Sequence, residues 1–317
     1  MADREPDPFG EGSHRTIPEP MKVLLTGANG FIGKEVHRAL LQRGYEVLAP
    51  ASGHSAGERS DSLDLLNSES IEPYLAKEKP QGLIHFAWDT TPGAYWGTSA
   101  NLTWAAASLQ LLEIFARHGG KRAVLAGTSA EYEWGGDQLL CEKTSPLVPD
   151  SLYGVSKDSV RRILETWAPG AGVSLAWGRI FCPFGPHEKE VRLIPKLINK
   201  LRVGAEIPFD SGSLVRDFLY VEDLGAAFAA LFDSEVEGPV NLASGEALTI
   251  REVLMTLGDA LERSGQIHFD ALPDPEGQAP FLVASIKRLR DEVGWSPSQG
   301  TRQRLVETCQ WWAAKEL

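Results

Sequence analysis

From residue 21 onward, short apolar runs alternate with amphipathic helical patterns, and no other feature of the chain limits its fold so severely. The runs lie at 22–26, 46–49, 82–87, 123–126, 173–177 and 239–242. Each is short and bounded by Gly, Pro or polar residues, and several are almost wholly apolar. Strands buried on both faces of a parallel sheet read in this way. Between them, 31–43 places Ile32, Val36, Ala39 and Leu40 on one helical face. The segment 101–118 does the same with Leu102, Ala105, Ala106, Leu109, Leu112 and Phe115. The alternation predicts an α/β fold, a doubly wound parallel sheet of Rossmann type with helices on both faces.

After Ile180 the pattern loosens. Pro183, Pro186, Pro195 and Pro208 punctuate a loop-rich stretch, and two more helical patterns follow at 249–263 and 300–315. The expected division is a sheet domain at 21–180 and 214–245, with a smaller substrate lobe at 181–213 and 246–317. Residues 1–20 carry acids and four prolines without an apolar segment, so a disordered tail is expected there rather than a secretory signal.

Composition excludes several partners. A net charge of −12 disfavours nucleic acid, which is bound through clustered Lys and Arg. An anionic small molecule needs only one or two well-placed cations. The apolar runs fall well short of the ~20 residues that span a bilayer. Cys141, Cys182 and Cys309 show no paired spacing, which suits a reducing cytoplasm. His14, His37, His54, His85, His118, His187 and His268 form no pair at helical ligand spacing, so no metal is expected.

The first run leads into Thr26-Gly27-Ala28-Asn29-Gly30-Phe31-Ile32-Gly33, which opens the first helix. The first glycine permits a tight turn, the second lets the backbone approach a pyrophosphate, and the third lets helix and strand pack closely. Free N–H groups at the helix start then face phosphates. Gly27, Asn29, Gly30, Phe31, Ile32 and Gly33 are therefore candidate dinucleotide ligands. An acid at the end of the second strand would hold a ribose 2′-hydroxyl. Here the chain reads Leu48-Ala49-Pro50-Ala51-Ser52-Gly53-His54, without Asp or Glu. Ser52, His54 and Arg59 are placed to meet a 2′-phosphate, which favours NADP(H) over NAD(H). Asp64 and Leu65 are candidates for the adenine, an ordinary loop acid being the alternative.

Tyr153-Gly154-Val155-Ser156-Lys157 sets a phenol and an ammonium four residues apart on one helix face. A free tyrosine titrates near ~10, and a neighbouring positive charge favours the phenolate. Tyr153 can then exchange a hydroxyl proton while a hydride moves. Lys157 can also hold the nicotinamide ribose. The alternative is a solvated helix face. Thr128, closing the fourth run about 25 residues upstream, adds a hydroxyl donor.

Together TGANGFIG, HFAW at 85–88, SLYGVSK, RIFCPFGP and RDFLYVEDL resemble the extended short-chain dehydrogenase/reductase family, in its group of nucleotide-sugar epimerases, dehydratases and reductases. The resemblance runs from Met21 to Trp312. It implies that Phe86, Ala87, Trp88 and Ile180 line the cofactor, that Asn101 supports a proton relay, and that Thr128 assists Tyr153. It implies a substrate side made of Thr128, Ser129, Cys182 and Arg216, with Arg216 clamping a diphosphate as a planar fork suits. A surface ion pair with Asp217 or Asp223 is the alternative for Arg216. The resemblance also implies a homodimer built on the helices at 101–118 and 153–167.

Departures narrow the chemistry. Sugar dehydratases of the family carry Asp-Glu where this chain has Ser129-Ala130. The GDP-fucose-synthase type has Cys at the Ala130 position and His at the Arg192 position. Cys182 replaces a common Asn and is expected to be a packed small hydrophobe. Trp88, Tyr95, Trp96 and Trp134 flank the expected pocket, whereas Trp295, Trp311 and Trp312 read as core or interface anchors. Glu131 and Glu133 are expected to be exposed, a carboxylate added to the pocket being the alternative. The expected activity is NAD(P)-dependent reduction of a 4-keto-sugar nucleotide. A 4-epimerase with tightly held NAD and a non-catalytic dinucleotide-binding regulator are the alternatives.

Overall fold

The computed structural model describes residues 20–51 and 62–315. Its centre is a six-stranded parallel sheet of β1 (Lys22–Thr26), β2 (Glu46–Leu48), β3 (Gly82–His85), β4 (Arg122–Thr128), β5 (Ser174–Ile180) and β10 (Gly238–Leu242), in the order β10-β5-β4-β3-β1-β2. Pairing starts at Val23↔Gly82, Gly82↔Arg122 and Arg122↔Ser174, so the carboxyl ends of the strands lie along one edge. That edge is where ligands bind in such sheets.

Helices α1 (Gly33–Gln42) and α6 (Val221–Asp233) cover one face, with Val36, Leu40, Leu224, Phe228 and Phe232 packed on Val23, Leu25, Val124 and Ala176. Helices α2 (Ser68–Glu78), α3 (Ala100–Arg117) and α4 (Leu152–Ala171) cover the other, with Ile71, Leu111, Phe115 and Leu164 against Leu24, Leu83, Leu125 and Trp177. A third apolar cluster gathers α5 (Leu193–Arg202), α7 (Ile250–Ala260) and α9 (Thr301–Ala313) around Ile198, Leu254, Leu305 and Trp312, the short α8 (Lys287–Asp291) lying beside β10. Small strand pairs join this part to the sheet. They are β6 (Cys182–Phe184) with β9 (Phe218–Tyr220), β7 (Ile207–Pro208) with β12 (Ile267–His268), and β8 (Val215–Arg216) with β11 (Leu248–Thr249) and β13 (Phe281–Leu282). Among the described residues no helix is long and apolar enough to cross a membrane.

The doubly wound sheet agrees with the sequence; several boundaries do not. The third strand stops at His85; beyond it the Phe86 amide still donates to the Thr26 carbonyl (3.2 Å), and the Ala87 amide donates to the Thr26 hydroxyl (3.3 Å). Leu193–Arg202 is helical inside the stretch read as loop-rich. Pro195 falls in its first turn, where a missing N–H costs nothing. Ser68–Glu78, capped by the Asn67 side chain accepting from the Glu69 amide at 3.1 Å, carries too weak a periodicity to be read in advance.

Candidate active site

The turn after β1 has the form its glycines predict. Gly27 adopts φ +71°, and a Cβ on Gly33 would stand 2.1 Å from the Gly27 carbonyl oxygen. No side chain fits there, so the helix meets the strand with its first turn bare. The amide of Gly30 closes onto Gly27 at 3.0 Å, while those of Phe31 and Ile32 have no acceptor among the described residues. Asn29 and Gly30 are exposed above them. Free amides at a helix start fit the pyrophosphate of a dinucleotide. Phe86, whose ring meets Phe228 edge-on at 4.6 Å, Ala87 and Ile180 are half-buried beside the turn's face of the sheet. Asp64 accepts from the Leu66 amide at 3.0 Å, and Leu65 is buried. Ser52, His54 and Arg59 lie outside the described residues.

Beyond β4, Ser151 caps α4 by accepting from the Gly154 amide at 3.2 Å. A Cβ on Gly154 would come within 2.4 Å of the Ala130 carbonyl oxygen, so the bare glycine lets α4 press against the end of β4. This brings Tyr153 to Thr128. Tyr153 and Lys157 are 9% and 4% exposed, which corrects the solvated-face alternative. Lys157 donates to the Ala126 carbonyl at 3.0 Å, and its ammonium stands 3.8 Å from the centre of the Trp88 ring. Burial pushes Lys157 down to about 7. Burial also drives the Tyr153 phenol above its ordinary value, with Tyr95 adding to the rise and Thr128 opposing it. The expected lowering by Lys157 is therefore not the dominant effect in the protein alone, because both groups are desolvated together.

Asn101 is fully buried. It accepts from Trp88 Nε1 at 2.8 Å and donates to the Tyr95 and Thr98 carbonyls at 2.8 and 2.9 Å. Its amide thereby fixes the loop carrying Trp88, Tyr95 and Trp96. Those rings enclose Tyr153, with Tyr95 at 4.9 Å, Trp96 at 5.8 Å and Trp88 at 6.3 Å between centroids, and Trp134 stands 6.0 Å from Trp96.

Glu131 is not exposed, as the sequence suggested, but wholly buried beneath Thr128. It accepts from the Thr128 amide (2.9 Å), Trp177 Nε1 (2.8 Å) and Arg179 Nε (2.7 Å). Arg179 donates onward to the Tyr132 hydroxyl at 3.0 Å, and Tyr132 to Asn241 at 2.8 Å. Thr128 and Glu131 form a capping box around the 129–131 turn. The Thr-x-x-Glu spacing was the signal that could have revealed it. Arg179 had none, since an arginine inside a strand is fixed only by what surrounds it. On the same turn Ser129 and Ala130 are buried, and neither brings a carboxylate to the position directly after Thr128.

In β8, Arg216 donates from Nη1 to the Val215 and Ala279 carbonyls at 2.8 and 2.7 Å. The surface ion pair considered for it does not form. Asp217 is consumed by Ser244 (2.8 and 2.6 Å), Gly245 (3.0 Å) and Ala284 (3.2 Å), and Asp223 by Arg304 (3.1 Å). Cys182 is half-buried, and burial pushes its thiol up to about 12, so it is no nucleophile. Around it the charges of Arg216, Asp217, Glu188 and Arg192 converge. Glu188 and Arg192 were not singled out as ligands by the sequence. Trp312 is core, Trp295 packs on the sheet cluster, and Trp311 lies 4.6 Å from the His187 ring.

Comparison with known proteins agrees with this geometry. A family model described as the NAD dependent epimerase/dehydratase family matches residues 23–243. UDP-glucose 4-epimerase of Corynebacterium glutamicum is 24% identical over 90% of this chain and 94% of its own. GDP-L-fucose synthase 1 of Arabidopsis thaliana is 26% identical over 92% of this chain and 93% of its own. The crystal structure of UDP-glucose 4-epimerase from Thermus thermophilus in complex with NAD superposes with a TM-score of 0.79 at 25% identity, covering 93% of this chain and 99% of that one.

Proposed function

The chain belongs to the NAD dependent epimerase/dehydratase family, and from that premise we propose that it reduces a 4-keto group on a nucleotide-linked deoxysugar. It is an NAD(P)-dependent enzyme of the extended short-chain dehydrogenase/reductase kind. A bound nicotinamide supplies the hydride that such chemistry needs. The protein's own part is to hold the sugar's carbonyl oxygen at the Tyr153 hydroxyl, donate that proton as the oxygen becomes a hydroxyl, and exclude water. The observation carrying this reading is the convergence of Tyr153, Lys157 and Thr128 at the edge onto which the free amides of Phe31 and Ile32 open. Lys157, desolvated beside Tyr153, is placed to favour the phenolate left after proton transfer whenever it carries its charge. Ser129 and Ala130 supply no acid–base pair for dehydration. NADPH is preferred because Leu48, at the end of β2, and Ala49, Pro50 and Ala51 after it bear no acid.

The test is oxidation of added NADPH by purified protein with 4-keto-6-deoxy nucleotide sugars. No oxidation with any of them would end the reductase reading. A second reading, 4-epimerisation with retained NAD, is favoured by the UDP-glucose 4-epimerase relatives. It calls for protein that purifies with dinucleotide and interconverts C4 epimers with none added. The assignment extends to a cytoplasmic homodimer through α3 and α4, which expose Leu102 (59%), Val155 (42%) and Ile163 (51%). Sedimentation of Leu102→Asp/Ile163→Asp protein as a monomer would support that interface.

A further inference from the structure

Lys157 favours the Tyr153 phenolate only while it is charged, yet it is 4% exposed and burial pushes it down to about 7. The titratable groups around it do little to hold its proton. Glu131, on the turn after β4, opposes the fall, but that carboxylate is shared with Arg179 of β5. His85, closing β3, is pushed down to about 3 and is neutral. Tyr153 has its ring centre 6.0 Å from the ammonium, and Tyr95 packs on Tyr153; burial pushes both phenols up, so they too are neutral. Asp158, the next residue on α4, is taken by Arg161 at 2.6 Å. Of the three N–H donors of an ammonium, one goes to the Ala126 carbonyl at 3.0 Å.

Trp88 adds the attraction that these groups do not. The Lys157 ammonium stands 3.8 Å from the centre of its ring, well within the ~6 Å over which the negative face of an indole draws a cation. Burial that weakens the hydration of the charge also leaves this attraction unscreened. The indole cannot swing away. Its Nε1 donates to the Asn101 side chain at 2.8 Å. Asn101 is fully buried, and its amide donates to the Tyr95 and Thr98 carbonyls at 2.8 and 2.9 Å. Both amide hydrogens are thereby committed, which makes this side chain an anchor for the ring. The same indole meets Tyr153 at 78°, so one ring touches both members of the pair.

Deepening the reductase reading, on which its catalytic sense rests, we propose that Trp88 is a positioning residue. Its indole face, anchored by Asn101, keeps the Lys157 ammonium charged and in place beside Tyr153.

NMR titration of isotope-labelled lysine side chains in the full-length chain reads the Lys157 midpoint directly, its resonance being identified by its loss in Lys157→Met. Trp88→Leu keeps an apolar cover on the ammonium without a π face, and should lower the midpoint by about 1 pH unit. Trp88→Phe should lower it less. A fluorinated tryptophan inserted at position 88 preserves the shape of the ring while draining its negative face, and should also lower the midpoint. Thermal melting confirms that each variant folds. An unchanged midpoint overturns the inference. A raised midpoint overturns it as well, since the ring would then act only by excluding water. In turnover of 4-keto-6-deoxy nucleotide sugars with NADPH, the alkaline limb of kcat/KM should move to lower pH with the midpoint in Trp88→Leu. A limb that stays in place while the midpoint falls overturns the catalytic role. Absence of turnover in the unaltered protein ends the reductase reading and that role with it, whereas the lysine titration still decides the contact between Trp88 and Lys157.

Discussion

Replacing Glu131 by glutamine removes one charge from a fully buried network and leaves its shape nearly unchanged. The carboxylate holds Arg179 at 2.7 Å, and Arg179 is itself wholly buried with Nη2 already lacking a partner. Breaking a buried pair by deleting one partner costs ~3–5 kcal/mol, because the remaining charge is left uncompensated. In Glu131→Gln the side-chain amide keeps one acceptor oxygen for the Thr128 amide, Trp177 Nε1 and Arg179 Nε, so a donor is stranded as well, at ~1–3 kcal/mol. We expect a total loss of about 4–8 kcal/mol, a large fraction of the ~5–15 kcal/mol that holds a folded domain together. Urea unfolding followed by tryptophan fluorescence reads it directly, since Trp177 lies in the network. The double variant Glu131→Gln/Arg179→Met should recover at least half of the loss, an apolar side chain of similar volume removing the stranded charge. A loss below ~1 kcal/mol, or no recovery in the double variant, would refute the reasoning.

Further outcomes follow from the same geometry. Tyr153→Phe should lower kcat by ~10²–10⁴ with a thermal midpoint near that of the unaltered protein; near-normal turnover would remove Tyr153 from the chemistry. Gly33→Ala puts a methyl 2.1 Å from the Gly27 oxygen and should weaken dinucleotide binding more than ~10-fold in a fluorescence titration, against which an unaltered affinity would count. His85, bonded to Thr26 at 2.7 Å and Ser108 at 2.8 Å, is pushed down to about 3 by burial and by the Lys157 charge. The folded state refuses a proton that the unfolded chain takes up near ~6.5, so this contribution to stability is complete above that pH and is lost as pH falls towards 3. The slope is at most ~1.4 kcal/mol per pH unit. Urea midpoints between pH 7.5 and 4.5 should fall less steeply in His85→Gln, and equal slopes would exclude His85 as the source.

The sequence by itself determined the sheet, the glycine turn after β1 and the closeness of Tyr153 and Lys157, because each rests on local rules. Strand alternation, the Gly27-to-Gly33 spacing and a four-residue helical offset are all written within short stretches of chain. Boundaries drifted where packing rather than local pattern decides them, as with the third strand, which ends at His85. The tertiary structure alone decided what depends on desolvation and convergence. Glu131 looks like any loop acid until β4, β5 and α4 close over it and Arg179 arrives from a strand 48 residues away. Tyr153 and Lys157 were legible as a pair, but the direction of their titration was not, since burial is its largest cause in both. Arg192 and Glu188 are brought near Cys182 and Arg216 only by the packing of separate segments. A charge takes its role from its neighbours' polarity and distance, and those are properties of the packed chain.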